Sequence, residues 1–481
     1  MKTRKYISYL LITLSIIIML SANWVMNYFD NPTFDQLIYH VYTSVGGTDM
    51  GIILNYVKLC LLVPFIIIIL LFIFRKKINT ILKNKKISVC FLIISIIIFG
   101  GSSYYSLNHI GTIEYLKNHN IDSKFIEENY VDPKDVNIEF PKKLRNLVVI
   151  YIESMESSFT STKEGGLFEN NYIPKLNKLA KENISFSNSE NLGGTSPIYG
   201  TGWTTAGLVS TIAGIPIKSP FVNDAINDNP FTYPKITTLA EILEDQGYKE
   251  KLILGSEASF GGINEFFQNH GNFEIFDVKT ARETGFLTKE NESAWGINDK
   301  DLFEYAKKDL TEISESKEPF YYNIITIDTH APNGYVTSEC PISYKNDYAN
   351  AVNCSDLHVS EFISWLTKQE FYKNTTIVVM GDHLSMNGDF FNKVDSSKRR
   401  IYNAFINSAV DTKNTKNREF YQMDYFPTIL ASLGVKIEGN RLAMGTNLFS
   451  DEKTLMEKYS YETVNSELSK YSKFYNNNIL Y

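Results

Sequence analysis

Asn146-Leu-Val-Val-Ile-Tyr-Ile152 is a seven-residue apolar run, largely β-branched, that ends directly in Glu153. Three further stretches have the same texture. Lys251-Leu-Ile-Leu254 stops at Gly255, Tyr321-Tyr-Asn-Ile-Ile-Thr-Ile327 at Asp328, and Thr375-Thr-Ile-Val-Val-Met380 at Gly381-Asp382-His383. Continuous apolar runs of this length fit strands covered on both faces, as in a parallel sheet. Between them lie stretches of helical period at 172–183, 236–247, 299–315 and 355–369. Strands alternating with helices predict an α/β sandwich with a mostly parallel central sheet. In such sheets a site forms beyond the C-terminal strand ends. Three of the four runs deliver a titratable residue there: Glu153, Asp328 with His330, and Asp382 with His383.

Working outward, residues 108–143 read as a polar connector, 144–450 as the catalytic domain and 451–481 as a helical tail. The first 107 residues differ from all of these. Apolar runs at about 6–24, 51–74 and 87–107 each approach the 20 or so residues that cross a bilayer. Lys2, Arg4 and Lys5 precede the first run, residues 25–50 contain no Lys or Arg, and Arg75, Lys76, Lys77, Lys83, Lys85 and Lys86 crowd the second loop. The positive-inside rule then places that loop in the cytoplasm and everything after the third span on the outer face of a multi-pass membrane protein. A cleaved leader fits the first run less well, because no small-residue cleavage site follows it.

Composition agrees. The 481 residues are 44% apolar and 21% charged, which excludes a largely disordered chain. Net charge is −7, yet the first hundred residues carry +7, leaving −14 for the remainder. Without a basic patch such a body is not expected to grip nucleic acid. Cys60 and Cys90 fall inside spans, whereas Cys340 and Cys354 lie in the exported body, where an oxidising environment lets them pair.

A glutamate after a strand is often just the first polar residue of a turn, and an Asp-His pair can simply cap a loop. Converging on one sheet edge, they instead make an oxygen and nitrogen donor set for a divalent cation. The Gly- and hydroxyl-rich stretch Gly193 to Gly207 (GGTSPIYGTGWTTAG) leads into LVSTIAGIPI. A hydroxyl on such a turn, at a helix N-terminus, can hold an anionic group and serve as a metal-activated nucleophile.

These segments resemble the alkaline-phosphatase/sulfatase superfamily over roughly residues 140–450, and within it the lipoteichoic acid synthase and phosphoglycerol transferase branch. The closer likeness is to the transferases that decorate periplasmic glucans. It is carried by Tyr151-Ile-Glu-Ser-Met-Glu156, Gly200-Thr-Gly-Trp-Thr204, Asp328-Thr-His330, Ala351-Val-Asn-Cys-Ser-Asp356 and Gly381-Asp-His383. The resemblance implies a sulfatase-like fold with Glu153, Asp382 and His383 as metal ligands. It implies Thr201 as nucleophile and fourth ligand, chosen over Thr195, Thr204 and Thr205 for its Gly-Thr-Gly-Trp context. His330 is the expected contact to the phosphate or leaving group, and Trp295-Gly-Ile-Asn-Asp299 is structural or pocket-lining. Manganese is expected first, with magnesium or zinc as alternatives.

The implied reaction moves phosphoglycerol from phosphatidylglycerol, at the membrane, to a cell-envelope glycan through a covalent threonine intermediate. The alternatives are a phosphoethanolamine transferase, a phosphodiesterase or sulfatase-type hydrolase, or an inactive glycan-binding relative. Ser196-Pro197 lacks the surroundings of a formylglycine site, which disfavours a sulfatase. Lipoteichoic acid synthases carry a Phe-Trp-Asn-Arg block where this chain has Ser259-Phe-Gly-Gly-Ile-Asn-Glu265. The expected substrate-binding residues are therefore Trp203, Glu257 and His270.

Overall fold

A computed structural model describes residues 2–43, 46, 48, 50–219, 230–289 and 292–481. The chain forms two compact units, one of residues 1–37 and 48–118, the other of residues 38–47 and 119–481.

In the first unit, three helices among the described residues are long and apolar enough to cross a membrane: Thr3–Tyr28, Met50–Ile73 and Lys85–His109. The first and third pack along each other. Each presents a seven-residue repeat of small buried side chains, Ser8, Ser15 and Ala22 on one, Ser88, Ser95 and Ser102 on the other. Small residues at that spacing let helix backbones approach closely where no hydrophobic force separates helix from lipid. The Trp24 indole donates to Asn55 Oδ1 at 2.7 Å, tying the second helix to the first.

The second unit is built on a six-stranded sheet. In chain order its strands are β1 (Asn146–Ile152), β2 (Lys249–Leu254), β3 (Glu274–Phe276), β4 (Phe320–Ile325), β5 (Thr375–Gly381) and β6 (Asn403–Ile406). Their spatial order is β3-β2-β4-β1-β5-β6, parallel except for the antiparallel edge strand β6. Every residue of β1 is buried. Its side chains alternate between two cores: Leu147, Val149 and Tyr151 on one face, Val148, Ile150 and Ile152 on the other. That explains the unbroken apolar run, since a strand covered on both faces has no solvent side to mark with polar residues.

The four anticipated strands are present. The edge strands β3 and β6 were not anticipated; they are three and four residues long, too short for a pattern. Helices Pro174–Glu182, Leu239–Glu244 and Asp299–Ser314 fall where expected. The fourth, Asp347–Leu366, begins eight residues early at an Asn346 cap that accepts from the Ala349 N–H. The connector belongs to this unit from His119 onward. The tail is helical and not separate, because Leu455, Val464, Leu468, Tyr475 and Ile479 are buried in the same core as Leu147.

Candidate metal centre

β1 lies between β4 and β5, with Ile152 opposite Gly381 and Tyr151 opposite Ile325. The three titratable strand ends therefore emerge side by side. Glu153, Asp382 and His383 are all but fully buried, and one ligand atom from each lies within 4.8 Å of the others. His383 Nε2 is 3.4 Å from Asp382 Oδ2 and 3.6 Å from Glu153 Oε1. Its other ring nitrogen, Nδ1, is 2.7 Å from the Leu384 carbonyl, which can only accept. Nδ1 therefore carries a proton and Nε2 is the nitrogen turned to the carboxylates, the orientation of a metal-binding imidazole.

The backbone is bent to make this cluster. Ser154 has φ of 53°, a left-handed conformation uncommon for a residue with a Cβ. The bend lets the Ser154 N–H donate to Asp382 Oδ1 at 2.7 Å and its hydroxyl to Glu153 Oε1 at 2.6 Å. Gln422 donates to the Asp382 carbonyl and Thr329 to that of Glu153.

Two carboxylates this close, out of water, are electrostatically unfavourable without a cation. Burial, then the Glu153 carboxylate, pushes the Asp382 carboxyl up to about 7. Burial alone would lower His383, but Asp382 and Glu153 outweigh it and the imidazole is raised. Asp382 Oδ2 is buried without a hydrogen bond. The donor set, the His383 Nε2 edge turned to both carboxylates and an Asp382 oxygen without a hydrogen bond all fit a divalent cation.

The threonine beside the cluster is Thr204. Its hydroxyl is 3.4 Å from Glu153 Oε2 and 3.3 Å from His383 Nε2. Thr204 opens the helix Thr204–Ala213, whose close approach to the strand end requires Gly207, where a Cβ would stand 2.1 Å from the Asp382 carbonyl oxygen. Thr201, the residue expected here, is three positions early. Its hydroxyl donates to the Ile198 carbonyl at 2.9 Å within a local turn.

His330 follows β4, its Nδ1 2.8 Å from the Ala331 carbonyl and its ring 4.1 Å from that of Trp295. Asp328 turns to a different partner. It accepts from the Asp299 N–H at 3.0 Å, while Asp299 accepts from the N–H groups of Ile327 and Asp328. This buried carboxylate pair latches strand end to helix start.

Trp203 is buried immediately before Thr204, with its indole N–H unpartnered. Glu257 is held by Arg282 at 2.8 Å. His270 is buried with Nε2 2.9 Å from the Thr232 carbonyl, Nδ1 3.5 Å from Glu241 Oε2 and its ring against Phe266. Cys340 and Cys354 are joined in a disulfide.

A sulfatase family model matches residues 145–435. The chain belongs to the sulfatase family. Among its relatives, phosphoglycerol transferase I of Xanthomonas campestris pv. campestris (strain B100) is 29% identical over 304 residues, covering 61% of this chain and 41% of the relative. Phosphoglycerol transferase I of Escherichia coli (strain SMS-3-5 / SECEC) is 27% identical over 329 residues, 66% of this chain and 41% of the relative. The matched region thus spans about two fifths of these relatives' length. In architecture the chain is similar to the lipoteichoic acid synthase LtaP from Listeria monocytogenes, with a TM-score of 0.54 at 18% identity over 75% of this chain and 99% of that one. It is also similar to the integral membrane protein lipooligosaccharide phosphoethanolamine transferase A from Neisseria meningitidis, with a TM-score of 0.51 at 16% identity over 89% and 84%. At those identities the likeness is one of fold.

Proposed function

We propose that this sulfatase-family chain is a membrane-anchored phosphoglycerol transferase. Phosphatidylglycerol is the donor, a cell-envelope glycan the acceptor, and Thr204 the nucleophile in place of the expected Thr201. The observation that carries the reading is the Thr204 hydroxyl, at a helix start, in contact with both Glu153 and His383. Glu153, Asp382, His383 and Thr204 would hold the divalent cation, with manganese the first candidate. When bound, the cation lowers the pKa of the hydroxyl and offsets charge developing on the phosphoryl oxygens.

In the first half-reaction Thr204 Oγ1 forms a bond to phosphorus and loses its proton to solvent. The phosphorus–oxygen bond to diacylglycerol breaks, and His330 protonates the departing oxygen. Glycerophosphate is left on Thr204, splitting a difficult displacement into two. A glycan hydroxyl then attacks phosphorus and gives its proton to His330, replacing the one lost in the first half, while Thr204 departs and takes back from solvent the proton it released. Trp203 is the proposed headgroup contact, through its unpartnered indole N–H. The charge pattern of the loops supports a catalytic unit on the outer, periplasmic or extracellular face of the cytoplasmic membrane.

The test is intact-mass measurement of the detergent-solubilised full chain after incubation with phosphatidylglycerol and Mn²⁺. A gain of one glycerophosphate unit is expected in the wild type and in Thr201→Ala, and none in Thr204→Ala. An adduct that survives Thr204→Ala and vanishes in Thr201→Ala would return the role to Thr201. An adduct formed only from phosphatidylethanolamine would replace the donor.

A further inference from the structure

Residues 38–43 lie in sequence between the first two apolar helices, yet they pack as part of the second unit. The contact is specific. Tyr39 is 2% exposed, and its hydroxyl donates to the Gly261 carbonyl at 2.7 Å, a partner 222 residues away. Burial holds the phenol well above the ordinary tyrosine range, so its O–H remains a donor.

The Gly261 carbonyl has a second partner. Thr205 Oγ1 donates to the same oxygen at 3.0 Å, using its other lone pair. The Gly261-Gly262 turn makes the double approach possible. Both residues have positive φ, 61° and 69°. A Cβ on Gly261 would stand 2.8 Å from Thr205 Oγ1, and one on Gly262 would stand 3.5 Å from the Thr43 methyl and 3.7 Å from the Tyr39 hydroxyl. This turn occupies the stretch where the aromatic and basic block of lipoteichoic acid synthases is missing.

Tyr39 reaches the other side of Thr204 as well. Its ring centroid is 5.3 Å from that of Trp203 and 4.5 Å from that of Phe231. Trp203 is the N-cap of the Thr204 helix; its carbonyl accepts from the Gly207 N–H at 2.9 Å, and with no side-chain capping bond its ring is placed by packing. Both sequence neighbours of Thr204 are thus referred to one side chain, Trp203 by ring contact and Thr205 through a shared carbonyl.

We propose that Tyr39, supplied by the segment between the first two apolar helices, is a positioning residue for Thr204 in the transfer reaction. The proposal rests on the reading of Thr204 as nucleophile. It assigns the inter-helix segment a part in the chemistry beyond its part in the chain path. An error in the angle of the Thr204 hydroxyl acts on the chemical step and leaves ground-state binding intact. The expected signature is therefore a loss in kcat with KM unchanged.

The experiment uses the full chain in detergent with Mn²⁺, two substrates, phosphatidylglycerol and bis(4-nitrophenyl) phosphate, and the variants Tyr39→Phe, Thr205→Val, their double and Thr204→Ala. Tyr39→Phe keeps the ring and removes only the hydroxyl, so folding is preserved. Loss of one buried hydrogen bond is expected to lower kcat about tenfold on both substrates. Thr205→Val should behave alike, and the double variant should fall short of the product of the two single losses, because both act through one carbonyl. Unchanged kcat per folded molecule in Tyr39→Phe, with Thr204→Ala inactive, would overturn the positioning role and leave the nucleophile standing. A kcat loss that only tracks a lowered Tm, or strictly multiplicative losses in the double variant, would also overturn it. Activity retained in Thr204→Ala would remove the nucleophile reading and this proposal with it. Turnover of the aryl diester without turnover of phosphatidylglycerol would displace the donor, while the kcat comparison still decides the role of Tyr39.

Discussion

Among the described residues, the second unit contains two buried triads of similar make-up and opposite condition. Glu153, Asp382 and His383 meet at the C-terminal edge of the sheet; Cys340, Cys354 and His358 meet in the loop and helix beyond His330. Both have ligand atoms close enough to share one ion. In the second, the sulfurs have bonded to each other, and His358 Nε2 sits 2.9 Å from the Thr337 hydroxyl and 3.4 and 3.5 Å from the two sulfurs. Its polar groups are satisfied within the protein, and burial lowers the imidazole. In the first, two carboxylates face each other and Asp382 Oδ2 has no hydrogen bond. Proximity alone does not make a metal site; unsatisfied charge does.

The largest effect should come from removing that charge balance. Chelation is expected to abolish turnover, and Mn²⁺ to restore it in the wild type. In Asp382→Asn the loss should be at least about a hundredfold at saturating metal, since the cation supplies several kcal/mol of charge stabilisation. Thermal unfolding gives an independent reading. Added metal should raise the wild-type Tm, equivalent to about 2.7 kcal/mol at a hundred times Kd. The variant should show little of that rise. A wild-type Tm indifferent to Mn²⁺, Mg²⁺ and Zn²⁺ would break the contrast between the triads.

Breaking the other triad should do something different. Reduction of Cys340–Cys354, or Cys354→Ser, opens a loop of sequence separation 14. The chain-entropy argument gives a stability loss of about 3 kcal/mol for a loop of that size. Metal-dependent kcat, measured below the lowered Tm, should persist. If reduction instead eliminated the metal-induced Tm rise, the two triads would be coupled.

How far these features could be read from sequence depends on whether their cause is local. β1 and β5 announce themselves because strands buried on both faces carry unbroken apolar runs, and the first polar residue after each run then lands on the sheet edge. Glu153, Asp382 and His383 follow directly. Thr204 does not. The stretch from Gly193 to Gly207 offers several hydroxyls, and the helix start is set by Trp203, a residue type without capping preference, packed by tertiary contacts. Asp328 looked like a site residue because it ends a strand, but its partner Asp299 lies on a helix 29 residues away. The docking of Tyr39 leaves no local trace at all, since Tyr39 and Gly261 communicate only through the folded chain. Gly261-Gly262 was the visible half of that contact, unreadable without the other.

The smallest predicted effect separates the two ends of the sheet. Asp382 is a raised carboxylate beyond a C-terminal strand end, raised by burial and Glu153 within a donor set that fits a cation. Glu250 is a raised carboxylate near the N-terminal end of β2, outside that donor set. Its Oε2 accepts the Asn272 N–H at 2.7 Å, while Oε1 is buried without a partner. Burial, with the Glu244 and Glu241 carboxylates adding to it, pushes Glu250 up to about 8. A carboxyl raised on folding binds its proton more tightly in the native state, so stability is fullest below the ordinary glutamate range and declines as pH rises through about 8. Glu250→Gln keeps an oxygen for the Asn272 N–H and cannot ionise. The variant should match the wild type near pH 5 and exceed it in Tm above pH 8, with kcat unchanged at both. The Tm difference between variant and wild type, followed across that range, should grow with pH. A flat difference would mean that Glu250 ionises freely in the fold, and that the N-terminal end of the sheet, like the disulfide corner, carries no unsatisfied charge.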